Sequence, residues 1–357
     1  MKQLIVEAPL SQLSFGQVAY NLLRELSKTD IQVGFFPIGN TDLSCFEPQK
    51  EFVDWLQAAI NRRYELLKRD VESIKLWHLM GSDNLRTQNQ TLLTFYECSE
   101  PTSYEKTIAA LQKKTLFSSV YAAEKFRGSG DVGNFACGFD QDLYITDKKY
   151  LEGKISWTLC GKWEKRKATK NIIQAWVKKY GNDPKHSLNL LVTNPFFSPE
   201  DNQRVLADAL GNKRFYNVNN LPPLKTNKEV CELVNATDID LSGLSFGEGW
   251  GLPSFNATAL GKWSIVLNHT SHKDWATWQN SILVTPDGET PVYDGVFFKE
   301  DSPVNHGVFY SLSEAKMIGA MELAALRVGQ TNTAGLELQN THSWKNSLDN
   351  ILKQVYN

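Results

Sequence analysis

The chain has 357 residues, 41% of them hydrophobic and 22% charged, with a formal net charge of −2. That is enough chain and enough apolar material for the cores of two domains, and a soluble two-domain globular protein is the expectation. Residues 1–150 hold 17 Lys and Arg against 19 Asp and Glu, and the remainder holds 21 of each, so bulk charge makes neither half a nucleic-acid-binding domain.

Five cysteines are scattered without a C-x-x-C pair, and Cys98, Cys137 and Cys160 lie in or beside apolar runs. Buried reduced thiols, no zinc site and a cytoplasmic location are the expectation. The first apolar run, Leu4-Ile5-Val6, is cut by Glu7 and is too short for a signal peptide. No window approaches the ~20 apolar residues of a membrane span.

From the first residues onward, short β-rich runs alternate with stretches of helical period, the pattern of βαβ units around parallel sheets. Residues 4–9 read as a buried strand, Val18, Leu22, Leu23 and Leu26 mark a helix, and residues 31–37 read as a second strand. Phe52, Leu56, Ala59, Ile60, Arg63 and Leu67 mark another helix, followed by strand candidates at 74–80, 92–96, 116–121 and 132–137. One doubly wound domain over residues 1–150 is the result, with a Lys-rich linker at 146–153.

A second strand–helix series begins at 155–160, with a helix marked by Ile172, Ile173, Trp176 and Val177 and strands at 188–193, 215–218, 239–241, 263–268 and 282–285. This makes a second domain over 151–335. Trp344, Leu348, Ile351, Leu352 and Val355 give the segment 336–357 a helical apolar face that has to pack elsewhere. Two such domains, with the carboxyl ends of their sheets facing across a cleft, present ligand sites where α/β folds usually hold them.

Two motifs in the second domain carry the chemistry. The first is Gly161-Lys162-Trp163-Glu164-Lys165-Arg166-Lys167 after an apolar strand, and the second is Phe246-Gly247-Glu248-Gly249-Trp250-Gly251-Leu252-Pro253-Ser254-Phe255-Asn256-Ala257. Cations beside a helix start suit a pyrophosphate, glycines let backbone N–H groups approach it, and Pro253 suits a first helical turn. Taken alone, Lys165, Arg166, Lys167 and Lys170 would make an ordinary solvated helix start.

Together these motifs resemble those of retaining GT-B glycosyltransferases of family 4. The resemblance implies a nucleotide-sugar donor, such as a UDP- or GDP-sugar, bound by Gly161, Lys162, Lys167, Glu248, Gly249, Trp250, Gly251, Leu252, Pro253 and Asn256. Lys162 and Lys167 take the places of the two cations on the diphosphate, and Glu248 that of the acid against the donor sugar. Asn256 stands where the family keeps a second glutamate for the ribose hydroxyls, and an amide offers one acceptor oxygen and a donor group there instead.

In the first domain, Ser14-Phe15-Gly16-Gln17 resembles the family's glycine loop, His78 its cleft-facing histidine, and Glu97 an acceptor-side acid. Residues 132–144, with Cys137-Gly138-Phe139-Asp140, resemble the turn before the linker, and the resemblance implies that the C-terminal helix in 336–357 crosses back onto the first domain. By this resemblance Lys162, Lys167, Glu248, His78 and Glu97 form the catalytic set, and Gly16 joins the donor site. The nucleotide-sugar is a co-substrate, with no cofactor and no metal.

Other patterns are set aside. Gly128-Ser129-Gly130-Asp131-Val132-Gly133 spells G-x-G-x-x-G but precedes a strand. Asp238-Ile239-Asp240 spells a metal-binding D-x-D but enters a strand, and His269 and His272 read as a polar rim loop without a third ligand. Of the tryptophans, only Trp163 and Trp250 fall inside motifs and are candidates for stacking on a ligand. A hydroxymethylated DNA base is an alternative acceptor, suggested by Arg62-Arg63, Lys113-Lys114 and Lys148-Lys149, against which the neutral first domain speaks. A non-catalytic sugar-nucleotide-binding protein is the reading from outside the enzymes.

Overall fold

The computed structural model describes residues 2–357, and the chain folds as two units. The first takes the chain up to Asp142, then Asp301–His306 and Thr341–Asn357; the second is Leu143–Glu300 with Gly307–Asn340.

The first unit runs β1 (Gln3–Ala8), α1 (Ser14–Leu26), β2 (Gln32–Pro37), α2 (Lys50–Asn61), α3 (Arg63–Leu66), β3 (Glu72–Leu76), β4 (Asn89–Thr94), α4 (Ser103–Leu111), β5 (Lys114–Phe117), α5 (Val120–Lys125) and β6 (Val132–Asn134). Its sheet has the order β2-β1-β3-β4-β5-β6, with every pairing parallel. Strands covered on both faces need near-continuous apolar runs, which residues 4–6 of β1 and residues 92–93 of β4 supply.

Several strands end before the apolar runs do, β4 at Thr94 and β6 at Asn134 as well as β5 and β3. The expected strand 116–121 stops at Phe117 because Ser119 caps α5, its Oγ accepting from the Ala122 amide at 3.2 Å. The expected strand 74–80 stops at Leu76, and Gly81, at φ +86°, turns the chain while Ser82 Oγ donates to the His78 carbonyl at 2.6 Å.

The second unit continues with β7 (Ile155–Gly161), α6 (Thr169–Tyr180), β8 (His186–Val192), α7 (Pro199–Ala209), β9 (Val218–Asn220), α8 (Asn227–Asn235), β10 (Ile239–Asp240), α9 (Leu252–Ala259), β11 (Trp263–Leu267) and β12 (Ser281–Val284). The hairpin β13 (Gly288–Pro291) and β14 (Val308–Ser311) and the helices α10 (Glu314–Ala325), α11 (Thr333–Leu336) and α12 (Leu338–Thr341) follow. Its sheet is also all parallel, in the order β12-β11-β10-β7-β8-β9.

The last helix, α13 (Trp344–Val355), belongs to the first unit, where Leu348 and Ile351 meet Leu22, Leu23 and Ile74. Residues 301–306 also join that unit: the Asn305 amide donates to Glu105 at 2.9 Å, and Thr102 Oγ1 donates to the Pro303 carbonyl at 2.7 Å. Both units are Rossmann-like α/β layers, as the alternating sequence pattern indicates. All five cysteines are free thiols; four are buried and Cys160 is half-buried. Among the described residues, no helix is long and apolar enough to cross a membrane.

Candidate functional site

In each sheet the strand order reverses once, between β1 and β3 in the first unit and between β7 and β10 in the second. The loops leaving the carboxyl ends of such neighbouring strands diverge to opposite faces and leave a crevice, where open α/β sheets bind ligands. Every charged residue proposed for chemistry follows one of the strands at or beside these two reversals.

In the second unit, β7 delivers Lys162 and Lys167, and β10 leads to Glu248. Lys167 Nζ lies 2.5 Å from Glu248 Oε1, and the same oxygen accepts from Ser245 Oγ at 2.6 Å. Arg166 bridges the two motifs, reaching Glu248 Oε2 at 3.2 Å, the Gly247 carbonyl at 3.0 Å and Glu164 Oε2 at 2.9 Å. Lys162 Nζ stands 3.4 Å from Glu164 and 5.8 Å from the centre of the Phe196 ring, and its side chain keeps 36% of its exposure.

Three cations therefore alternate with two carboxylates, leaving one positive charge in excess. Burial works against ionisation of Glu248, but Lys167 and Arg166 outweigh it and hold its carboxyl at about 2. The same competition, with Arg166, Lys162 and Lys167 opposing burial, keeps Glu164 below the usual carboxylate range. Both acids are ionised at neutral pH.

The backbone at this crevice is strained on two sides. Ala168, directly after Lys167, has φ 52°, and Thr270, a fully buried β-branched residue, has φ 50°. Such conformations cost roughly 1–3 kcal/mol each and persist where surrounding structure fixes them. Thr270 Oγ1 lies 3.5 Å from the Glu248 amide, so the strained residue adjoins the acid.

Gly251 is a glycine for two reasons. Its φ is +83°, and a Cβ there would fall 2.6 Å from Nε2 of His272. His272 is fully buried; its Nδ1 donates to the Leu267 carbonyl at 3.1 Å, which leaves Nε2 as an unprotonated acceptor without a partner. Burial pushes its pKa down to about 4, against the opposite pull of Glu248, so the ring is neutral at pH 7. The expected polar rim loop is thus in part a buried wall of the Glu248 turn, while His269 stacks on Tyr310 with centroids 3.6 Å apart.

The remaining donor-site candidates fall into distinct environments. Gly249 is buried in the turn; Leu252 and Pro253 open α9 half-buried; and Asn256 sits half-buried in its second turn. A Cβ on Gly161 would meet only Lys167 Cδ, at 4.0 Å, so the protein itself leaves room there. Trp250 is 1% exposed, edge-on to Phe255, and its carbonyl accepts from Trp275 Nε1 at 3.0 Å. Its ring is core, as is that of buried Trp163, so neither offers a ligand a stacking face; what Trp250 brings to the turn is backbone.

Sequence reasoning treated Arg166 as part of a basic helix start, set His272 aside as a polar rim residue, and gave no role to Glu164, Ser245 or Thr270. The alternation Lys162-Glu164-Arg166 was the available signal for Arg166 and Glu164, since alternate residues of an extended segment share a face.

In the first unit, Gly16 lies in the first turn of α1 rather than in a loop before it, and a Cβ there would fall 2.2 Å from the Ser11 carbonyl oxygen. Phe15 touches His78, which is exposed just beyond β3, with centroids 4.4 Å apart, and Phe95 at 5.0 Å. Glu97 is half-buried two residues further along. Gly16, His78 and Glu97 are thus gathered at the carboxyl edge of one sheet, and Lys162, Lys167 and Glu248 at that of the other.

No known protein family matches the chain, and no curated protein matches it in sequence. Solved structures do match over its whole length. The sucrose-phosphate synthase of Thermosynechococcus elongatus aligns with a TM-score of 0.72 at 12% identity, covering 100% of this chain and 99% of that one. A UDP-forming α,α-trehalose-phosphate synthase from Burkholderia xenovorans aligns with a TM-score of 0.67 at 12% identity, covering 100% and 99%. A structure described as trehalose-6-phosphate from E. coli bound with UDP-2-fluoro glucose aligns with a TM-score of 0.66 at 11% identity, covering 99% of each chain. At such identities the likeness establishes the fold, and the fold is GT-B.

Proposed function

We propose that the chain is a retaining glycosyltransferase that moves a sugar from a nucleotide-sugar donor, such as a UDP- or GDP-sugar, to an acceptor hydroxyl. The observation that carries this reading is the meeting of Lys162, Arg166, Lys167 and Glu248 at the strand-order reversal of the second sheet. The similar structures support it through their descriptions, one a UDP-forming synthase and another bound with UDP-2-fluoro glucose. The finer family-4 assignment rests on the two motifs alone.

In this reading the second unit holds the donor and the first the acceptor. The bond from the anomeric carbon to the diphosphate oxygen breaks, and the electron pair leaves with that oxygen. Lys162 and Lys167 neutralise the charge that develops there, a role preorganised cations fill well because they need no reorientation of solvent. The acceptor oxygen bonds to the anomeric carbon on the same face, and its proton passes to the departing phosphate. Glu248 lies against the donor sugar, and Asn256 near the ribose.

Thermal-shift measurement across nucleoside diphosphates and their sugars tests the donor site, since a ligand of the native state raises Tm. The expected result is a shift with one nucleotide and slow release of free sugar without acceptor. Tight binding with no release under any condition would favour the non-catalytic sugar-nucleotide-binding reading. No shift with any nucleotide would remove both.

A further inference from the structure

We propose that the acceptor is an uncharged saccharide, held by an aromatic patch at the carboxyl edge of the first sheet; this rests on the transferase reading for its chemistry but not for its binding. The patch lies beside the strand-order reversal. The Phe15 ring is 5.9 Å from Trp77, 4.4 Å from His78 and 5.0 Å from Phe95, all centroid to centroid. Phe15, Trp77 and Phe95 are half-buried and His78 is exposed, with Leu13 (41%) and Met80 (54%) open beside them.

Aromatic faces carry partial negative charge and attract the weakly positive C–H faces of a sugar ring, while the same rings repel an anion. The surrounding charge points the same way. The segments leaving the six strands at this edge are residues 9–13, 38–49, 77–88, 95–102, 118–119 and 135–142. Together they hold seven carboxylates and one Lys or Arg, which is Arg86.

Arg86 is already committed: its Nη2 lies 2.9 Å from Glu7, and its guanidinium covers the Phe36 ring at 4.2 Å. Lys75, on β3 itself, is buried, with Nζ donating to the carbonyls of Gly81 and Asn84 and 3.9 Å from Glu7. The cations of the adjoining helices, Arg24 and Lys50, are paired with Asp142 and Asp54, so a phosphate brought to this edge would meet carboxylates rather than unpaired cations. Sugar hydroxyls suit it, because a carboxylate such as that of Glu97 accepts hydrogen bonds and an imidazole such as that of His78 accepts or donates.

The test separates binding from turnover. Maltose, methyl glucoside, glucose 6-phosphate and a hydroxymethylated DNA duplex are titrated into the full chain and its variants, with affinity read by calorimetry and, in the wild type, Trp77 perturbation read by NMR. The neutral sugars are expected to bind at least about tenfold more tightly than the phosphate, given the cost of placing like charges together. Trp77→Ala should weaken saccharide binding about threefold to tenfold, and Trp77→Phe should restore most of it.

Equal or tighter binding of glucose 6-phosphate or of the duplex would overturn the proposal, as would saccharide binding that Trp77→Ala leaves unchanged. Failure of every nucleotide in the thermal-shift panel, with maltose still bound at the patch, would remove the transferase reading and leave the saccharide site standing.

Discussion

Lys167 and Glu248, 81 positions apart in sequence, meet at 2.5 Å. In the proposed site, the cation assigned to the diphosphate is thus ion-paired with the acid assigned to the donor sugar. A diphosphate must draw Lys167 from Glu248 or share it, and that competition sets the first expectation. Glu248→Gln should tighten binding of the bare nucleoside diphosphate, measured by calorimetry, because the competing charge is gone. Transfer of sugar should fall on the order of a hundredfold or more, the scale of losing one preorganised electrostatic contact.

Lys167→Ala should act in the opposite sense on binding. Loss of one of three clustered cations weakens the diphosphate site directly, and Glu248 is left buried without its closest partner. Donor binding and turnover should both collapse, together with a drop in Tm, since removing one partner of a buried pair costs about 3–5 kcal/mol. A near-wild-type rate would remove Lys167 from the diphosphate site.

Gly251→Ala tests the turn without touching a charge. The φ of +83° and the 2.6 Å approach to His272 Nε2 both act against a methyl group. Destabilisation of roughly 1–3 kcal/mol from the backbone alone is expected. Thermal unfolding of the variant checks it, and an unchanged Tm would mean that the turn relaxes freely.

His272 gives the pH expectation. Its folded pKa of about 4 lies below the ordinary 6.5, so the unfolded chain takes up the proton first as pH falls. The stability it contributes is complete above pH 6.5 and is lost between about 6.5 and 4, a change of about 3 kcal/mol. Asp140 and Asp240, pushed up to about 6 by burial, run the other way, gaining stability as pH falls through the same range. The difference between the wild-type profile and that of His272→Asn isolates the histidine, and that difference should shrink as the pH is lowered toward 4.

Asn256→Glu addresses the departure from the family pattern. A carboxylate in the second turn of α9 would offer two acceptor oxygens to a vicinal diol where the amide offers one. Tighter binding of an ordinary ribonucleotide donor is expected by calorimetry, and weaker binding would show Asn256 to be adapted to a different group.

Most parallel strands were legible because they are short apolar runs between helical periods; β9, Val218–Asn220, is mostly polar and extends past the apolar run 215–218, and strand ends were misjudged where a cap or a positive-φ glycine intervened, as at Ser119 and Gly81. The Glu248 turn was legible because glycine and proline carry their geometry in their identity. His272 was not, because the string His269-Thr270-Ser271-His272-Lys273-Asp274 is polar by composition, and only the folding of that turn beneath Gly251 buries the ring. Trp250 misled in the opposite sense: its place inside a motif suggested a ligand, while its size fitted the core beside Phe255 and Trp275. The ion network escaped because pairing between residues 164–167 and 248 is a property of the sheet order, not of either segment.

The helix α13 lies on α1 and β3, so the first unit is covered by a helix that begins about 200 residues after Asp142. During synthesis the apolar face of α1, with Leu22 and Leu23, is made early and stays uncovered while more than half of the polypeptide is still to come. At ordinary ribosomal rates of about 5–20 residues per second, the wait between residues 142 and 344 is roughly 10–40 s. A fragment ending at Asp142 would carry that open face permanently, and it is expected to aggregate where the full chain does not, which size-exclusion chromatography of the two would show.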